Sequence, residues 1–194
     1  MTTITTRPFR FDPFNHEYID VETGELIPHI TGMLEATGLI DDRWYSEESS
    51  DRGTAVHRLT HDYDLGALDV ASCVSEHRGY LLGHVAAMQV IPHAWDDVEV
   101  PRVHPQLRFG GRPDRNGVIY QAKGVLEVKS GGPEKSHAIQ TAMQAILVAP
   151  IYGLPPEMLL RFALYLKPNG KFKLEEHKRK ADFDEARRII RRCT

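Results

Sequence analysis

The chain has 194 residues, with 24 Lys/Arg against 27 Asp/Glu and a formal net charge of −3, a length that suits one domain with a sizeable core. No apolar run approaches the roughly 20 residues of a membrane helix, and MTTITTRPFRF lacks the charged-then-apolar order of a signal peptide. The two cysteines, Cys73 and Cys193, provide no disulfide framework, zinc ribbon or iron–sulfur cluster, so the chain reads as intracellular, reduced and cytoplasmic.

In chain order, residues 1–14 read as an extended arm. HEYID, ETGE and LIPHI predict a β-hairpin with a Gly-containing turn. Thr31 is the expected cap of a short helix over GMLEAT that Gly38 ends. DDRWYSEESSD then leads into a helix over RGTAVHRLTHDYDLG, stopped by Gly66, and SEHRGYLLGHVAAMQVI predicts a second, stopped at Pro92. The periodicity then changes to short strands in WDDVEVPRV, QLRFGG, GVIYQ and GVLEVKS. Pro133 is placed at the first turn of a helix over 134–149. MLLRFALYL reads as a strand, KPNGK as a hairpin turn and KFKLEEH as the returning strand. Asp182 with Glu185 resembles a capping box for a last helix, FDEARRIIRR. This order predicts an α/β (α+β) fold with a mixed central β-sheet flanked by helices. It is one domain: 1–50 as arm, hairpin and short helix, 51–150 as a core carrying the motifs, 151–194 as closing strands and a basic helix.

The chemistry concentrates in GVLEVKSGG. Alternate residues of a strand share a face, so Glu127 and Lys129 point one way while Leu126 and Val128 enter the opposite layer. Alone, such a pair reads as an ion pair on an edge strand. Upstream, FGGRPDRNG places Asp114 on a neighbouring segment, and two carboxylates brought together need a cation between them. Hard oxygen ligands of this kind suit Mg²⁺ or Mn²⁺. Beside them, a lysine can hold a water or pair with phosphate. His57 and His61 share a helix face one turn apart, with small Gly53 and Thr54 nearby. A zinc pair there would lack a third ligand of the right type. His137, Gln140 and Gln144 make a polar stripe on the helix after Gly132, opposite Ile139, Met143 and Ile146, as a helix lining a polar cleft would show.

Pro113-Asp114 followed by Glu127-Val128-Lys129 resembles the signature of the PD-(D/E)XK nuclease superfamily. RGTAVH resembles the G-T-x-x-H motif of its RecB-like, phage-type exonuclease branch, QTAMQ resembles that branch's Q-x-x-x-Y motif, and LIPHITGML resembles a stretch near the start of many phage members. Together these span roughly residues 26–147. The resemblance implies a restriction-endonuclease-like core and a metal-dependent deoxyribonuclease, of exonuclease type, acting in recombination or repair and leaving 5′-phosphates. It implies Asp114, Glu127, the Val128 carbonyl and His57 as ligands of Mg²⁺ or Mn²⁺. Lys129 would orient or deprotonate the attacking water. Gln140 would position Lys129 or the DNA backbone. Glu99 is a weaker candidate for a water-mediated metal contact. Two departures stand out: Gln144 replaces the family's tyrosine, and neither the RecB-type helicase nor the cysteine set of the CRISPR adaptation nucleases is present.

Charge along the chain is uneven. Residues 1–66 carry 5 Lys/Arg against 13 Asp/Glu, and residues 167–194 carry 10 against 5. Charge alone favours a solvated basic tail. Under the resemblance, Lys171, Lys173, Lys178, Arg179, Lys180, Arg187 and Arg191 are candidates to hold a DNA backbone, with Thr54, Ser130, His137 and Gln144 as further DNA contacts. The expected partner is linear DNA, double- or single-stranded. A single-strand annealing protein and a homo-oligomer enter by analogy, and no membrane is expected. The alternative is a catalytically silent module of the same fold that binds DNA or a host protein.

Overall fold

The computed structural model describes residues 7–40 and 46–194; the start of the expected arm and the DDRWY stretch lie outside the described residues. The first strands β1 (Phe9–Asp12), β2 (Glu17–Asp20) and β3 (Leu26–Ile27) form a small antiparallel sheet. Helices α1 (Ile30–Ala36), α2 (Glu47–Asp64) and α3 (Arg78–Val90) follow. The cap of α1 is not Thr31 but His29, whose Nδ1 accepts from the Gly32 amide at 3.3 Å. An imidazole can satisfy one of the orphan N–H groups of a first turn as a hydroxyl does. Helix α2 starts about one turn earlier than expected, at Glu47, because Ser46 caps it through the Ser49 amide.

The predicted strand WDDVEVPRV divides into β4 (His93–Val98) and β5 (Arg102–Val103), and of QLRFGG only β6 (Gly110–Gly111) is extended. Strands β7 (Arg115–Ile119) and β8 (Ala122–Lys129) form a two-residue hairpin through Tyr120 and Gln121, both at positive φ (46° and 72°). That is the dihedral pattern a tight hairpin requires, here without the Asn-Gly pair that signals it in a sequence. Helix α4 (Lys135–Tyr152) crosses from β8 to the parallel strand β9 (Leu160–Leu166); β10 (Phe172–Glu176) and α5 (Lys180–Cys193) complete the chain. The main sheet has five strands in the order β10-β9-β8-β7-β4, parallel only between β8 and β9. The fold is thus the expected mixed sheet flanked by helices.

Alternation along β8 separates two cores. Val125 joins Ile30, Met33, Leu34, Met143, Ile146 and Ile189 under α1, α4 and α5. Leu126 and Val128 join Val56, Tyr80, Met88, Phe162 and Leu164 under α2 and α3. Helix α4 lies almost wholly buried between β8, β9 and α5. Two cap expectations are corrected here. Pro133 precedes the helix, and Glu134 is its N-cap in a reciprocal box with His137. The helix also runs past Pro150 to Gly153 at φ 62°, since a proline in the last turn removes only one hydrogen bond. In α5, the expected Asp182–Glu185 box is absent. Arg179 is the N-cap, and the buried Asp182 carboxylate instead takes Arg161 Nη2 at 3.0 Å. A guanidinium carried by β9 into an apolar layer must be paired.

The β9–β10 turn rests on α3 at Gly79, where a Cβ would stand 1.7 Å from the Pro168 carbonyl oxygen. Gly79→Ala therefore forces backbone apart. It is expected to cost about 1–3 kcal/mol, read as a lower denaturant midpoint with an unchanged slope.

Candidate metal centre in the cleft

Where β4 ends, the chain does not stop pairing. The Glu99 amide donates to the Asp114 carbonyl at 3.0 Å, and Glu99 takes φ 50°. A left-handed, non-glycine residue costs energy and persists where its surroundings enforce it. The result is that the Glu99 carboxylate turns toward Asp114, which immediately precedes β7. Asp114 is buried, its Oδ2 accepting from the Val128 amide at 2.7 Å. This is the contribution of Val128 that the contacts define: a backbone N–H that fixes Asp114, with its side chain in the α2–α3 core.

From α2, His57 completes the group. Its Nδ1 lies 3.4 Å from Asp114 Oδ1 and 3.9 Å from Glu99 Oε1. One ligand atom each from His57, Glu99 and Asp114 lies within 4.8 Å of the others. Asp114's charge, opposed by burial, raises the imidazole to about 10. Burial is the largest single influence on Asp114 and would raise it, but the charge and hydrogen bond of His57, with the charges of Arg115 and Lys129, together hold the carboxyl at about 2. Among the described residues Glu99 Oε1 is buried without a hydrogen-bond partner, while Oε2 faces Arg112 Nη2 at 3.4 Å. A buried carboxylate oxygen without a hydrogen bond, beside an imidazole and a second carboxylate, can serve as a donor to a divalent cation. The donor set fits a cation of the Mg²⁺/Mn²⁺ type, and its imidazole tilts the choice toward Mn²⁺.

Glu127 stands beside this group on the same sheet, but both its oxygens are taken. Oε1 accepts from Gln140 Nε2 at 2.7 Å and Lys129 Nζ at 2.9 Å; Oε2 accepts from Gln144 Nε2 at 2.6 Å. Lys129 Nζ also reaches Gln140 Oε1 at 2.9 Å. Burial first, and then the Asp114 charge, push the Glu127 carboxyl above its ordinary range, with Lys129 opposing. Gln144 thus contacts the Glu127 carboxylate directly.

His57, Glu99, Asp114, Glu127, Gln140 and Gln144 face one cleft of about 840 Å³; Lys129 is not among its lining residues and reaches it through Glu127 and Gln140. Thr54, His57, Arg58 and His61 of α2 line it, together with Tyr18 and His29 from the N-terminal segment and Gln140 and Gln144 from α4. His61 is turned to Asp62, 3.2 Å away, rather than to the cluster. His137 does not continue the glutamine stripe: it is buried, bonded through Nδ1 to Tyr165 and to the Glu134 amide. Burial and the nearby Lys129 charge lower its pKa to about 3. Ser130, Lys171 and Lys173 are not among the cleft-lining residues, nor are the other basic residues of the tail. Lys173 pairs with Glu175, Lys178 with Glu176 and Arg187 with Glu157. The arginines that do line the cleft, Arg58 and Arg112, carried no motif to single them out. Gly131 and Gly132 have no positive φ, and open space stands where a Cβ would go, so the fold itself does not demand glycine there.

No protein-family model matches the chain, and no curated protein matches it either.

Proposed function

We propose that the protein is a metal-dependent nuclease that hydrolyses phosphodiester bonds in the cleft between α2 and the N-terminal sheet. The observation that carries this reading is the convergence of His57, Glu99 and Asp114 beside the Glu127–Lys129 pair. The donor set suits a divalent cation, and Lys129, bonded to Glu127 and Gln140, is close by. Such a cation polarises a phosphoryl oxygen and makes a bound water nucleophilic near neutral pH. His57, Glu99 and Asp114 would hold it. Lys129, fixed by Glu127 and Gln140, would orient the attacking water or offset charge on the phosphate. Gln140 and Gln144 keep Glu127 in place by satisfying its oxygens. Arg58 and Arg112 supply positive charge for the strand's phosphates. DNA as substrate, and an exonuclease role in recombination or repair, follow from the resemblance of the motifs.

One observation favours a second reading. With both Glu127 oxygens occupied by Gln140, Lys129 and Gln144, the site could belong to a module that binds DNA without cutting it.

End-labelled linear and closed-circular DNA, incubated with Mn²⁺, Mg²⁺ or EDTA, separates the two. Metal-dependent loss of linear DNA alone, faster with Mn²⁺ and absent in Glu127→Ala, supports an exonuclease. Nicked circles make it an endonuclease. DNA retained but uncut in every metal supports the binding module.

A further inference from the structure

Beneath the His57–Glu99–Asp114 cluster lies a second charge network that the proposed chemistry does not use. Arg115, the first residue of β7, and Asp64, the last of α2, have side chains 0% and 2% exposed. Arg115 Nε donates to Asp64 Oδ2. The same carboxylate takes His84 Nε2, from α3, at 2.9 and 3.0 Å. At the other end of the fork, Arg115 Nη1 donates to the Asp114 carbonyl at 2.7 Å and lies 3.9 Å from Glu99 Oε1.

A buried guanidinium needs a counter-charge, and the Asp64 carboxylate, set against Nε, meets that need. Neutralisation therefore does not explain where Nη1 points. It points at the carbonyl that also accepts the Glu99 amide, and so at the joint holding Glu99 in its left-handed turn. At 3.9 Å, Nη1 attracts Glu99 Oε1 without forming a hydrogen bond to it, and that oxygen has no hydrogen-bond partner among the described residues. Arg115 is itself fixed in register, opposite Val98 on β4 and Leu126 on β8. Lysine could carry the charge but not the planar fork that reaches Asp64 and the Asp114 carbonyl together.

We infer that Arg115, anchored by Asp64 and His84, is the positioning residue of the cation site, setting Glu99 and the Asp114 backbone so that Glu99 Oε1 faces the other donors. This rests on the metal-site reading above.

The test is Mn²⁺ binding, followed by electron paramagnetic resonance, on the full chain and on Arg115→Lys, Glu99→Gln and their combination, with circular dichroism melts alongside. Arg115→Lys is expected to fold and to bind Mn²⁺ about tenfold more weakly. The combined variant is expected to lose little beyond Glu99→Gln alone, because Arg115 acts through Glu99. Losses that multiply in the combined variant overturn the inference. So does a folded Arg115→Lys with a lowered melting temperature and unchanged Mn²⁺ affinity, the result of a purely structural role. If Arg115→Lys does not fold, Asp64→Asn decides: weaker Mn²⁺ binding supports the anchor, and wild-type affinity removes it. If the unaltered protein binds no Mn²⁺, the inference falls together with the metal site. If it binds Mn²⁺ but cuts nothing, the nuclease reading falls, and the positioning comparison is still read from the binding data.

Discussion

Asp114→Asn is expected to lower metal-dependent cleavage by about three orders of magnitude or more and to weaken Mn²⁺ binding at least tenfold. The substitution is close to isosteric. Its amide oxygen can still accept from the Val128 amide, which Asp114 Oδ2 now does at 2.7 Å, so the β7–β8 backbone need not move. The carboxylate charge that faces His57 at 3.4 Å is lost. His57 is held charged chiefly by Asp114, so its pKa should fall back toward the ordinary imidazole range, visible in an NMR titration of the metal-free protein. Three readouts thus respond to one atom: cleavage of labelled DNA, Mn²⁺ affinity and the His57 titration. A variant that cuts at the wild-type rate would remove Asp114 from the site. A variant with lost cleavage but a wild-type His57 titration would mean that Asp114 does not hold His57 charged.

The placement of Glu127, Lys129, Gln140 and Gln144 is legible because two simple periods govern it, whereas Asp114 is legible only as a carboxylate in a turn-rich segment next to the Glu127 strand. Strand alternation puts Glu127 and Lys129 on one face, and helical spacing puts Gln140 and Gln144 under them. The same spacing misassigned His137, because a stripe along a helix cannot show that its N-terminal member closes a capping box with Glu134. Glu99 was visible only as a charged residue in a strand. Its left-handed turn, which brings it to Asp114, follows from a tertiary hydrogen bond. Arg115 and Asp64 were not read as functional at all. In RPDRNG the arginine looks like part of a turn, and in HDYDLG the aspartate looks like a solvated helix end; only the packing of α2 on β7 brings them together. Arg161 offered a signal that went unused: an arginine amid MLLRFALYL must find a partner, and it takes Asp182 away from the expected helix cap. Charge counts alone favour a solvated basic tail, and several of its cations do pair with glutamates.

Metal binding should release about one proton at neutral pH, and Mn²⁺ affinity should rise roughly tenfold per pH unit between pH 7 and 9. An imidazole ligand must be neutral, yet Asp114 raises metal-free His57 to about 10, so at pH 7 the cation displaces a proton. Asp114, held at about 2, stays ionised throughout that range. The same pair sets the stability of the metal-free protein. His57 is raised from 6.5, so its contribution is complete below that value and is lost as pH rises through about 10. Asp114 is lowered from 3.8, so its contribution is present above that value and is lost as pH falls through about 2. The metal-free protein should therefore lose stability in alkali, and Mn²⁺ should counter that loss by replacing the proton with a charge that does not titrate. The side chain of His57 is 32% exposed, so solvent screening makes the stability effect smaller than the effect on affinity. Calorimetry in buffers of different ionisation enthalpy counts the proton, and Mn²⁺ titrations at pH 7, 8 and 9 give the slope. An affinity independent of pH would mean that the cation binds the carboxylates without displacing the His57 proton, leaving Glu99 and Asp114 as its protein ligands and His57 as their counter-charge.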